Sequence, residues 1–166
     1  MNYNKNTTAA FSGHRNYDGC ADEQILARLR ALYASGYRCF MTGMAWGFDL
    51  AAAEQVIRLK EMCSDVDLVL VEPFDGFRRL FSGVDASRYD KIVAAASQRI
   101  YVGNSATRES FFLRNDYLVE HSSRLIAWWN GVKRGGTAYT VKRALREGVS
   151  VDNLYCGEQD LFSGLL

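Results

Sequence analysis

Arg38-Cys39-Phe40-Met41-Thr42-Gly43-Met44-Ala45-Trp46-Gly47-Phe48-Asp49 is the stretch whose reading decides the fold. Its first half is an apolar run of strand length that ends on a small hydroxyl. Two glycines then carry the chain into an apolar stripe, Phe48, Ala52, Val56, Leu59 and Cys63, at helical spacing. A strand passing through a glycine-rich turn into a helix is the elementary unit of a parallel sheet.

The same unit repeats on either side. Upstream, Thr7 to Ser12 predicts a strand ending at Gly13, and residues 21–35 place Ile25, Leu29, Leu32 and Tyr33 on one helical face before Gly36 stops the helix. Downstream, Val66 to Val71 predicts a third strand closed by Pro73, and Tyr89, Ile92, Val93 and Ala96 mark a third helix. Strands at Ile100 to Val102, Leu125 to Trp129 and Val149 to Leu154 then alternate with helices over 108–121 and 137–147. This order predicts one doubly wound α/β domain, a mostly parallel sheet of five to six strands flanked by helices. The expected domain is residues 1–166, with a core over about 7–154 and a short tail, 155–166.

Composition agrees with that architecture. The chain has 166 residues, 48% hydrophobic and 23% charged, enough for one buried core. Twenty Lys and Arg against nineteen Asp and Glu leave a net charge of +1, so no global field pulls it to nucleic acid or membrane. The opening MNYNKNTTAA lacks the pattern of a secretory signal, and no apolar run is long enough for a bilayer, so the expected location is cytoplasmic with no membrane partner. Cys20, Cys39, Cys63 and Cys156 are scattered without a Cys-x-x-Cys, and only His14 and His121 are present. Neither a metal site nor a disulfide framework is expected, and the thiols are read as reduced.

Ligands of open parallel sheets bind beyond the carboxyl ends of the strands. Three such exits combine glycine, hydroxyl and charge: Ser12-Gly13-His14-Arg15, Thr42 to Asp49, and Asn130-Gly131-Val132-Lys133-Arg134-Gly135-Gly136-Thr137. Glycine admits an anion close to the backbone, and a helix start favours phosphate. Ser12, Thr42 and Thr137 offer hydroxyls and Arg15 a guanidinium. Taken singly, each loop is also plain turn chemistry, with Asp49 and Thr137 as helix caps. Taken together they predict a site for a nucleotide-like anion, although neither Gly-x-Gly-x-x-Gly nor a Walker sequence is present.

Arg114 and Asn115 follow the apolar run Phe111-Phe112-Leu113, so Arg114 is expected to point inward, paired by a carboxylate or by ligand phosphate. The connection over 73–87, with Phe74, Phe77, Phe81, Arg78 and Arg79, reads either as a lid stacking on a base or as a turn capping the core. Of Trp128 and Trp129, at least one is expected in the core. Lys133, Arg134, Lys142, Arg143 and Arg146 form a basic cluster that either touches phosphates or is a solvated helix face.

Four motifs carry a family resemblance: Ser-Gly-His-Arg at 12–15, Thr-Gly-x-Ala-x-Gly-x-Asp at 42–49, Arg-Asn-x-x-Leu-Val-x-x-Ser-Ser-x-Leu-Ile-Ala at 114–127, and Gly-Gly-Thr-x-Tyr-Thr-Val at 135–141. In this order the chain resembles the YpsA-like branch of the SLOG superfamily over about residues 9–150. That superfamily also holds the DNA-processing protein DprA and the LOG phosphoribohydrolases. The resemblance implies a Rossmann-like fold that binds a nucleotide or a derivative such as ADP-ribose or NAD, as a sensor or signalling module. It places Gly13, Arg15, Gly43, Gly47, Asp49, Arg114, Asn115, Gly135, Gly136 and Thr137 at the ligand, and the strand-exit reading adds Ser12, His14, Thr42, Met44, Ala45 and Gly131.

LOG enzymes carry a glutamate just after this last glycine loop, whereas here Ala138-Tyr139-Thr140 follow and the next carboxylate is Glu147, about three turns on. An N-glycosidase would therefore have to recruit Asp49 or Asp116, with Arg114 on the phosphate. Binding of a small nucleotide-derived ligand is the leading expectation, hydrolysis the second and DprA-like single-stranded DNA binding the third. Aromatic residues at 13% leave apolar surface for a homo-oligomer.

Overall fold

A computed structural model describes residues 3–157. The strands are β1 (Thr8–Gly13), β2 (Cys39–Thr42), β3 (Asp67–Phe74), β4 (Gln98–Gly103), β5 (Arg124–Trp128) and β6 (Ser150–Asn153). Five helices separate them: α1 (Asp22–Ala34), α2 (Phe48–Met62), α3 (Gly83–Ala95), α4 (Arg108–Glu120) and α5 (Gly136–Arg146). All strand pairs are parallel, in the order β4-β3-β2-β1-β5-β6. Chain order therefore runs outward from β1 to one edge and then crosses back to β5. Strand order reverses between β1 and β5, and such a reversal opens a crevice beyond the strand ends.

Period-two alternation along the strands builds a core on each face. Ala9, Phe11, Phe40, Leu68 and Leu70 pack with Ile25, Leu29, Val56 and Leu59. On the opposite face, Ala10, Met41, Val69, Val71, Leu125 and Ala127 meet Leu118, Val119, Val141 and Ala144. The central strands are buried on both faces, which is why they read as unbroken apolar runs. Trp128 is in the core, whereas Trp129 lies one residue beyond β5 and is half-buried.

The sequence boundaries need correction at several points. Pro73 does not close β3; the strand continues to Phe74, with Glu72 paired to Tyr101 and Phe74 to Gly103. β2 pairs with β3 only as far as Leu70, so beyond it one side of β3 needs no ladder donor and proline is accommodated. α3 begins at Gly83, six residues before the first apolar marker, and β4 extends beyond Ile100 to Val102 in both directions. β4 is an edge strand of alternating exposure, and its polar positions hid its length. The connection over 73–87 caps the core: a 3₁₀ turn at Phe77–Leu80 buries Phe77 edge-on against Phe74, Phe81 and Phe111. The part of the expected tail from residue 158 onward lies outside the described residues.

One half-buried ion pair, between an exposed arginine and a buried glutamate, ties the β4 edge to the sheet. Glu72 is fully buried, and Arg99 meets it with two bonds, Nε to Oε2 at 2.9 Å and Nη2 to Oε1 at 3.2 Å. Burial pushes the Glu72 carboxyl above its ordinary range while Arg99 pulls it back. Removing one partner leaves an uncompensated buried charge. Arg99→Leu should therefore lower unfolding stability by about 3 kcal/mol, and Glu72→Gln by less. Urea denaturation of both variants measures the difference, and equal losses would contradict it.

Candidate functional site

The crevice beyond β1 and β5 holds a chamber of about 520 Å³. From the β1 exit come Ser12, Gly13, His14, Arg15 and Asn16; from the β2 exit, Ala45 and Asp49. α4 contributes Arg114 and Asn115. The β5 exit and the start of α5 contribute Asn130, Val132, Arg134, Gly135, Gly136 and Thr137.

Arg114 is the electrostatic centre. It is buried, donates from Nε to Asn115 Oδ1 at 2.8 Å and from Nη1 to the Gly43 carbonyl at 2.7 Å, and lines the chamber. Burial lowers its affinity for the proton, the nearby Asp49 raises it, and Arg15 lowers it further. The pairing left open by the sequence is thus met by a carbonyl, an amide and the field of a carboxylate. Asp49 is itself 95% buried, the complement of its 5% exposure. Its Oδ2 accepts from the Ala45 amide at 3.3 Å, while Oδ1 has no hydrogen-bond partner among the described residues. Burial raises the Asp49 carboxyl to about 6, opposed by Arg114, by the Ala45 and Gly13 amides and by Arg15.

The glycines divide into two kinds. A Cβ on Gly13 would overlap the Phe48 ring, one on Gly43 would run into Arg114, and one on Gly47 (φ +82) would strike the backbone of Arg15. These three admit protein, not ligand. Gly135 and Gly136 are different: a Cβ on Gly135 meets nothing within 4 Å, and on Gly136 only Asn115 Nδ2 at 3.6 Å. Gly135 caps α5 without any side-chain bond to the first turn. The start of α5 thus lines the same chamber as Arg114, and a helix start of this kind is suited to an oxyanion.

Other residues named from sequence are not among those lining this chamber. Thr42 is fully buried, its hydroxyl accepting from the Met44 amide and donating to the Asp49 carbonyl, so it shapes the loop and offers a ligand nothing. Met44 is in the core with φ +60, a left-handed conformation rare for a side chain of its size. Gly131, also at positive φ, turns the chain between Asn130 and Val132. Asp116 does not line the chamber: it accepts from the Tyr139 hydroxyl at 2.7 Å and pairs with Arg143, between α4 and α5. Glu147 is likewise paired with Arg143.

Sequence reasoning missed Asn16, and it quoted Asn130 and Val132 within the third loop without giving either a role of its own. Asn130 binds the His14 ring at 3.0 Å and so joins the β1 and β5 loops; its place as the first residue past a strand was the available signal. Burial lowers the His14 ring below its ordinary range, which the Asn130 contact opposes.

Beside this chamber, and sharing Arg15, Arg114, Asn115, Arg134, Gly135 and Gly136 with it, lies a second of about 800 Å³. Arg108, Lys133 and Lys142 add to its positive lining, Phe111, Phe112 and Tyr139 supply aromatic surface, and no carboxylate is among the lining residues. The basic cluster seen in sequence is thereby split. Lys133, Arg134 and Lys142 face this chamber, while Arg143 is taken up by Asp116, Glu120 and Glu147.

A six-stranded parallel sheet with a polar crevice at the strand-order reversal defines a Rossmann-like α/β protein. The family model YpsA, described as the YspA SLOG family, matches residues 3–153, and the chain belongs to that family. Among curated proteins it is 30% identical over 129 residues to the UPF0398 protein BH1768 of Halalkalibacterium halodurans, covering 74% of this chain and 64% of that one. It is 24% identical over 132 residues to the UPF0398 protein BCG9842_B3730 of Bacillus cereus strain G9842, covering 78% and 72%. Among solved structures it resembles DprA of Streptococcus pneumoniae with a TM-score of 0.66 at 18% identity, covering 94% of this chain and 53% of that one. DprA of Helicobacter pylori, described by its structure as binding single-stranded DNA, matches with a TM-score of 0.63 at 15% identity, covering 93% and 70%. The chain thus spans just under two thirds of the first relative and about half of the first DprA.

The two kinds of glycine separate experimentally. Gly13→Ala should destabilise the fold by about 1–3 kcal/mol through overpacking against Phe48. Gly136→Ala, at the first position of α5, should leave the melting temperature unchanged or raise it, yet weaken anion binding by crowding the helix start. Thermal melts and titration with sulfate give both readouts. The Asp49 carboxyl sets a second expectation. Below about 6 it is protonated and tolerates an anion nearby; above that it is charged and repels one. Sulfate, whose own charge is constant in this range, should bind more weakly by about tenfold as pH rises from about 5 to about 7, and Asp49→Asn should reduce that dependence to the part set by loss of the His14 proton.

Proposed function

We propose that this protein binds a small phosphate-bearing nucleotide derivative, of the ADP-ribose, NAD or nucleoside monophosphate class, in the crevice between β1 and β5. The observation that carries this reading is that the uncapped start of α5 at Gly135 and Gly136 lines the same chamber as the buried guanidinium of Arg114. A helix start and an arginine lining one chamber supply backbone donors and charge to the same oxyanion. Arg15 also lines the chamber, its guanidinium 4.4 Å from the centre of the Trp46 ring, and adds a third donor. The second chamber supplies aromatic surface for the base or nicotinamide end.

Asp49 is the only carboxylate among the lining residues of the two chambers. Any N-glycosidic hydrolysis at this site would use it as the acid or base, with a proton affinity in the useful range.

Calorimetric titration with ADP-ribose, NAD and AMP tests the binding reading. At least one should bind, and Arg15→Ala should weaken it by about tenfold through loss of a charged hydrogen bond. Failure of all three ligands to bind would overturn the reading.

A second reading has its own support. The cationic lining of the larger chamber, free of carboxylates, suits a chain of phosphates, and the Helicobacter pylori neighbour is described as binding single-stranded DNA. On this reading affinity rises with oligonucleotide length and falls steeply with salt, and Lys142→Glu removes most of it. If AMP binds as tightly as an oligonucleotide, with no greater salt dependence, the strand reading fails.

A further inference from the structure

Cys20 and Cys156 are far apart in sequence, yet their sulfurs lie 3.1 Å from one another. Both side chains are exposed. Cys20 follows Gly19 in the turn before α1, and Cys156 lies in the segment after β6, so neither is held within a helix or strand. We propose that Cys20 and Cys156 form a redox-active dithiol that closes to an intramolecular disulfide, joining the loop after β1 to the segment after β6.

Three features support the assignment beyond proximity. First, both segments are already packed on one residue: Tyr17 and Tyr155 meet the Trp128 ring at 5.0 Å and 4.8 Å between centroids. Shortening the sulfur separation to a bond of about 2.0 Å therefore asks for a small side-chain adjustment between fixed segments. Second, the other two cysteines are poor competitors. Cys39 is buried in β2, where burial pushes its thiol up to about 12, and Cys63 is half-buried beside the main core. Third, Cys156 lines a groove of about 500 Å³ with Gln24, Ala27 and Arg28 of α1, wide enough to admit a small disulfide.

The oxidant required is a low-molecular-weight disulfide such as oxidised glutathione. The Cys156 thiolate attacks it, forming a mixed disulfide and releasing one equivalent of small thiol. Cys20 then loses its proton to solvent and attacks the Cys156 sulfur, releasing the second equivalent. Two protein thiols and one small disulfide become one protein disulfide and two small thiols, so electrons and protons balance. The order follows from access: Cys156 lines the groove and Cys20 is not among its lining residues, so Cys156 is the first to react.

The experiment is oxidation of the full chain with excess oxidised glutathione, followed by alkylation in denaturant and peptide mass spectrometry. The expected product lacks two hydrogens, carries a Cys20–Cys156 crosslink and is alkylated only at Cys39 and Cys63. Its melting temperature should rise and return on reduction with dithiothreitol. Cys20→Ser should instead trap glutathione on Cys156, and Cys156→Ser should give no crosslink and no thermal shift. Glutathione adducts persisting on both cysteines of the unsubstituted chain, crosslinks only between chains, or full alkylation of all four cysteines would each overturn the proposal.

Discussion

A guanidinium removed from water must be surrounded by acceptors, and Arg114 imposes that demand on everything at the strand-order reversal. Its bond to the Gly43 carbonyl requires that position 43 lack a side chain, because any Cβ would run into the arginine. The β2 loop then wraps back so that the Asp49 carboxyl comes within the field of the same charge. Met44 accepts a left-handed backbone to make that turn, at a cost of order 1–3 kcal/mol. Such strain persists only where the surrounding structure over-determines it, and here the Thr42 hydroxyl and the core around Met44 do so.

Much of the fold was legible because the central strands are buried on both faces and the helices on one. Continuous apolar runs such as VDLVLV and 3.6-residue stripes such as Phe48 to Cys63 are direct imprints of those environments. Legibility failed where the environment is mixed. β4, at an edge, carries Gln98 and Arg99 in register with buried neighbours, so the hydropathy pattern showed only its middle. Pro73 misled because a proline usually ends a strand, and only the shortness of β2 makes it harmless.

The site was legible as a set of loops but not as a division of labour among them. A glycine in sequence announces that something comes close; it does not say whether that is a phosphate, a phenyl ring or a backbone. Gly13 and Gly136 stand in equally suggestive motifs, yet one is pressed against Phe48 and a Cβ on the other would meet only Asn115 Nδ2, at 3.6 Å. Asp49 and Asp116 looked equivalent as carboxylates, and only the packing of α4 on α5 directs Asp116 to Tyr139 and Arg143. The Cys20–Cys156 contact could not be read at all, since it depends on where two turns end after the whole sheet is assembled.

The filled glycines also bear on how fast the crevice can work. With Phe48 against Gly13, Arg114 against Gly43 and the Arg15 backbone against Gly47, the β1 and β2 loops are wedged on each other. His14 and Asn130 tie the β5 loop to the same assembly. Loops braced in this way have little freedom to swing closed over the ligand proposed for this crevice. On that proposal a rigid site loses little entropy on occupation, and its selectivity expresses itself in how long a molecule stays instead of in how quickly it arrives.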